Sequence, residues 1–86
     1  MIEILVSISG MEVGFDLARE LGRSLAEKGD PETMLVAWED KRNRKHSPSC
    51  VKCDIADEPG WLVYGRNHGG RLKIDVNAGE YVFIFS

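Results

Sequence analysis

Ile2, Ile4, Val6 and Ile8 alternate with Glu3, Leu5 and Ser7, and this period of two predicts a strand with one clearly buried face. Gly10 and Gly14 bracket a connection, and Asp16 stands where a helix N-cap belongs. Leu17, Ala18, Leu21 and Leu25 then recur at helical spacing, while Arg19, Glu20, Arg23 and Glu27 fill the other side. Gly29 and Asp30-Pro31 end that pattern, because proline lacks the amide and fits poorly inside a helix. The result is a single helix of about thirteen residues.

Thr33 to Trp38 is apolar on both faces, as an interior strand requires. Glu39 to Cys50 shows no periodicity and contains Pro48, so it reads as a long loop of the kind that is often functional or mobile. Val51 to Ile55 is a candidate edge strand, Asp57 to Gly60 a turn by composition, and Trp61 to Tyr64 a further strand. Asn67-His68-Gly69-Gly70 tolerates the positive φ of a hairpin. Leu72, Ile74 and Val76 alternate with Arg71, Lys73 and Asp75; Asn77-Ala78-Gly79 forms a turn, and Tyr81 to Phe85 closes as an apolar strand. The order implies an α+β domain, β-α-β followed by an antiparallel meander. Its sheet has about four to six strands, with a single helix on one face.

Eighty-six residues fit one small domain, 1–86. An apolar fraction of 43% and a charged fraction of 29% exclude intrinsically disordered and low-complexity classes. No apolar run approaches the ~20 residues of a membrane span. The opening Met1-Ile2-Glu3-Ile4-Leu5 has no basic region and carries an acid, unlike a signal peptide. Two cysteines are too few for a secreted disulfide scaffold, so a cytoplasmic, reducing setting is expected.

The net charge of −3 is unevenly spread. Residues 1–40 carry nine acids against Arg19, Arg23 and Lys28, or −6; Lys41 to His46 carries four bases and no acid, or +4; residues 47–86 sum to −1. The net field repels phosphate, so nucleic acid is not an expected partner through bulk attraction.

Leu35-Val36-Ala37-Trp38-Glu39-Asp40, Ser47-Pro48, Pro59-Gly60-Trp61, Gly69-Gly70 and Asp75-Val76-Asn77-Ala78-Gly79-Glu80-Tyr81-Val82-Phe83 resemble a family of small, uncharacterised prokaryotic domains. The resemblance spans nearly the whole chain and implies a stand-alone domain. That family has no assigned activity, so it brings no catalytic residues to transfer.

The basic segment supplies the candidate contact site: Arg42, Arg44, Lys45 and His46, with Trp38 and Asp40 at the adjoining strand end. Arginine's planar fork suits phosphate or carboxylate, so the partner classes are a protein surface or a small anionic ligand, with weak nucleic-acid contact as a further alternative. No aromatic residue lies inside the segment to stack on bases, and charge runs are commonly just solvated.

Cys50-Val51-Lys52-Cys53 offers a different class of function, a redox pair or half of a zinc site, with His46 as a further ligand. No helix is predicted after Cys50 to lower a thiol pKa, and an extended segment points the two thiols to opposite faces. Two reduced cysteines are the plain structural alternative. His68 suits a turn, and Asp54, Asp57 and Glu58 suit one better than a cation site. Gly10 to Gly14 lacks the lysine and spacing of a phosphate loop. Neither a cofactor nor a catalytic residue is implied, and a non-enzymatic binding domain is the favoured class.

The relative areas of helix and sheet point to self-association. A thirteen-residue helix is about 20 Å by 10 Å, whereas five strands make a sheet more than ~20 Å across. One helix therefore leaves the opposite face open, with Leu5, Leu35, Ala37 and either Val82 with Ile84 or Tyr81 with Phe83 and Phe85. Monomers rarely expose such patches, which predicts a homodimer formed face to face or edge to edge.

Overall fold

The hairpin nearest the end of the sequence occupies the centre of the sheet. In chain order the elements are β1 (Ile2–Val6), α1 (Phe15–Gly29), β2 (Leu35–Asp40), β3 (Lys45–Ser47), β4 (Asp54–Ile55), β5 (Glu58–Pro59), α2 (Gly60–Asn67), β6 (Leu72–Val76) and β7 (Tyr81–Phe85). The structure is a computed structural model that describes residues 1–49 and 54–86. The five-stranded sheet has the order β1-β6-β7-β2-β3, and β4 pairs with β5 in a separate two-stranded ribbon. β1 runs parallel to β6, and the other pairs in the main sheet are antiparallel. The fold is thus α+β, as the element pattern implies, but β6 and β7 intervene between β1 and β2.

Among the described residues two helices are present where the pattern predicts one. Trp61 to Tyr64 is the first half of α2, not a strand, and Asn67 to Gly70 ends that helix instead of turning a hairpin. Gly70 N donates to Gly65 O at 2.8 Å and His68 N to the same oxygen at 3.3 Å, which satisfies the helix end. Trp61 and Gly65 are the buried pair one turn apart. A side chain at Gly65 would lie 2.8 Å from Ile84 Cδ1 and 3.3 Å from Ala37 Cβ, so the missing Cβ lets α2 sit directly on the sheet.

The two-sided apolarity of β7 follows from its central place. Tyr81, Phe83 and Phe85 pack with Ile74, Val76 and Ala18 beneath α1, while Val82 and Ile84 join Ala37 and Trp61 beneath α2. Val82 is 5% exposed and Ile84 0%, so the chain's own second helix covers part of the face that the single-helix picture leaves bare. α1 begins at Phe15 with Gly14 at its N-cap rather than Asp16, which lies in the first turn. An acid there still complements the helix dipole. Its most buried stripe is Ala18, Gly22 and Ala26, small residues that bring the helix close to Phe83 and Phe85.

Leu35 lies on the α1 side, not beside Ala37 as alternation suggests. The β2–β7 register shifts between Leu35 and Ala37, pairing Leu35 with Phe85 and Ala37 with Ile84. An irregularity of one residue reverses the face.

Candidate functional site

Residues 39–47, expected as loop, form a hairpin with β2 and β3 as its arms. Asp40 is 4% exposed, and its carboxylate shapes the tip. Oδ1 accepts from Asn43 N at 3.1 Å and Oδ2 from Asn43 Nδ2 at 2.8 Å, a local side-chain closure of the turn. Arg44 adopts φ 56°, and its amide donates to Lys41 O at 3.3 Å. The carboxylate of Asp40 is therefore engaged in holding the turn.

The other proposed contact residues separate into two groups. The Trp38 ring packs 4.7 Å from that of Phe15, on the core side of β2. Arg42 Nη2 donates to Glu12 Oε1 at 2.8 Å, and Arg42 Nη1 lies 3.7 Å from Glu80 Oε1. The Glu12 hydrogen bond raises the guanidinium pKa above its already high ordinary value, so the charge is permanent and already shared with two carboxylates. His46 Nδ1 lies 3.0 Å from Pro48 O. Arg44 and Lys45 are exposed, as is Lys41 beside them, and none of these three forms an ion pair among the described residues. The tip thus presents a small, exposed cationic surface.

Cys50 and Cys53 lie outside the described residues, so the thiol and zinc alternative rests on sequence alone. Among the described residues, no group of three His, Cys, Asp or Glu side chains is placed to hold a metal ion. His68 stacks on Tyr64 at 3.8 Å and places Nδ1 2.8 Å from Tyr64 O, which explains it as an α2 end residue. Glu58 binds Arg66 through both oxygens, at 3.2 and 2.6 Å. That pairing holds the Glu58 carboxyl below the ordinary glutamate range.

The sheet edges carry the more distinctive chemistry. β3 is a guarded edge, three residues long with an exposed Lys45 and Pro48 just beyond it, features that discourage strand addition. β1 is five residues long with Glu3 as its one charge. Ile2 N donates to Arg71 O at 3.0 Å and Asn77 N to Val6 O at 2.8 Å, so the even-numbered residues direct their main-chain groups towards β6. Successive strand residues point these groups to opposite sides, which leaves the N–H and C=O of Glu3 and Leu5 facing away from the sheet. The side chains of Leu5 and Ile2 are 73% and 62% exposed. Sequence periodicity marks β1 as a strand but says nothing of its place in the sheet, so this edge was not legible from the pattern.

No curated protein matches the chain. Among solved structures it is similar to AF1514 from Archeoglobus fulgidus DSM 4304, described as a novel non-family-model protein. The TM-score is 0.79 at 27% sequence identity, covering 100% of this chain and 93% of that one. A family model described as a domain of unknown function matches residues 1–85.

Proposed function

Because the chain belongs to DUF5619, a domain of unknown function, we propose from its geometry that it is a non-enzymatic interaction domain that self-associates through the edge of β1. The observation that carries this is the β1 edge, where main-chain groups of Glu3 and Leu5 that have no partner among the described residues lie beside the exposed side chains of Leu5 and Ile2. Strand addition satisfies such an edge and covers its apolar side chains in one step. A face-to-face dimer has less support, because α2 already covers Ala37, Val82 and Ile84. The small cysteine count supports a cytoplasmic setting for this role, and among the described residues no helix is long and apolar enough to cross a membrane.

Light scattering across a concentration series tests the proposal. The mass should rise from 9.6 kDa towards twice that value as concentration passes through the micromolar range. A mass that stays at 9.6 kDa into the hundreds of micromolar, on the order used for weak contacts, contradicts it.

A second reading concerns the hairpin tip. Lys41, Arg44 and Lys45 project from it without ion-pair partners among the described residues, which supports contact with an acidic protein surface or a small anion. Retention on a sulfonated matrix, lost when all three are changed to glutamate while the melting curve is kept, is the corresponding test.

A further inference from the structure

The exposed edge of β1 matches one occupant closely, the same strand of a second copy. Resting on the self-association reading, we propose that two copies pair β1 antiparallel about a two-fold axis through Leu5, joining their sheets into one continuous sheet. A two-fold axis perpendicular to the sheet makes the new pair antiparallel and repeats every contact, so the register is decided by which residue lies on the axis.

Four registers, with Glu3, Ile4, Leu5 or Val6 on the axis, bring the outward-facing groups of Glu3, Leu5 or Ser7 together. With Glu3 on the axis, two carboxylates stand directly opposite one another, an unfavourable pair. With Ile4 on the axis, Glu3 lies against the partner's Leu5, a charge against an apolar side chain. That register forms only about four main-chain bonds, two for each hydrogen-bonded pair. With Val6 on the axis, Leu5 lies against the partner's Ser7, which gives about four bonds and leaves Leu5 without an apolar partner. With Leu5 on the axis, Leu5 meets the partner's Leu5, and Glu3 meets the partner's Ser7. Ser7 lies just beyond β1, between Val6 O and Ile8 N, which both bond Asn77, so its own groups face outward. Glu3, Leu5 and Ser7 then all use their outward groups, giving about six bonds.

The side chains favour the same choice. The exposed Leu5 is covered by its own copy. On the α1 side, Ile2 lies against the partner's Ile8 and Ile4 against the partner's Val6. Ile4, Val6 and Ile8 already flank the core beneath α1, so the pairing extends that apolar layer across the axis. The Glu3 carboxylate stays 4.0 Å from Lys73 Nζ, so its charge keeps a partner. The far edge, β3, stays outside the contact with its lysine, which limits growth beyond two copies. A contact of one strand pair is smaller than a standard interface, which places it among weak, concentration-dependent contacts.

An isotope-filtered nuclear Overhauser experiment reads the register directly. One carbon-13-labelled copy is mixed with unlabelled protein at several times the dissociation constant, under reducing conditions that keep Cys50 and Cys53 from linking copies. The Leu5 register places Ile4 Hα against the partner's Val6 Hα in a close, non-hydrogen-bonded pair, and that cross-peak is the expected result. A cross-peak from Ile4 Hα to the partner's Ile4 Hα overturns the register while leaving self-association through β1 intact. A dimeric mass with no β1 cross-peak overturns both the register and the use of this edge, and a monomeric mass overturns self-association itself. In a separate test, Leu5→Lys places two ammonium groups at the axis and should weaken association by roughly tenfold or more, while its circular dichroism stays that of the parent. Unchanged association in that variant also contradicts the pairing.

Discussion

Two buried glycines, one on each helix, should respond to the same substitution with opposite signs. In Gly65→Ala the new Cβ falls 2.8 Å from Ile84 Cδ1, 3.1 Å from Ile84 Cγ2 and 3.3 Å from Ala37 Cβ. Ile84 is 0% exposed, so its side chain has no open space to swing into, and either it or α2 must shift. Overpacking of this kind costs about 1–3 kcal/mol, against a helix-propensity gain of up to about 1 kcal/mol. At mid-range the net is a loss of about 1 kcal/mol, read as a fall in Tm of about 4–8 °C for a domain of this size. In Gly22→Ala the new Cβ meets Phe85, Phe83 and Ile74 at 3.4, 3.6 and 3.7 Å, ordinary contact distances. Propensity then decides, giving a gain of roughly 0.5–1 kcal/mol and a rise in Tm of a few degrees. Urea titration and calorimetry on both variants supply the values. Gly65→Ala at or above parental stability would refute the close seating of α2 on β7 and β2.

Asp40→Ala removes both bonds to Asn43 and should cost about 1–2 kcal/mol, with amide shifts confined to residues 39–47 in a nuclear magnetic resonance spectrum. The Glu58 carboxyl should titrate below the ordinary midpoint of ~4.3, and Arg66→Ala should return it there. Because its folded pKa is lowered, the pair's contribution is present above ~4.3 and disappears as pH falls through the folded value. Lys41, Arg44 and Lys45 changed together to glutamate should leave Tm close to parental, since no ion pair among the described residues uses them. A large fall in Tm would show that the tip is not a free surface.

The strands that alternate or stay apolar along their length were legible: β1, β2, β6 and β7 stand within a residue or two of their expected places, as does the Asn77-Ala78-Gly79 turn. α2 was not. Trp61 to Tyr64 is a four-residue apolar run, too short for period two and period 3.6 to be told apart. The residue that completes its helical face is Gly65, which composition counts as a breaker although its packing needs the bare backbone. Strand order escaped for another reason, since the insertion of β6 and β7 between β1 and β2 is a non-local outcome that no local pattern encodes. The proposed contact residues were near one another in sequence, but the structure assigns Trp38 to the core, Asp40 to the turn and Arg42 to Glu12 and Glu80. Charge alone cannot separate such engaged groups from Arg44 and Lys45.

Amide hydrogen exchange at Leu5 tests the central claim most directly. In the single copy the Leu5 N–H faces outward from β1, whereas Ile4 N–H faces β6. Self-association through this edge predicts that exchange at Leu5, and at Glu3 and Ser7 beside it, slows as the protein is concentrated through the micromolar range. Ile4 should stay protected at every concentration. A Leu5 amide that exchanges equally fast at the lowest and highest concentrations, while Ile4 remains protected, would contradict pairing at the β1 edge.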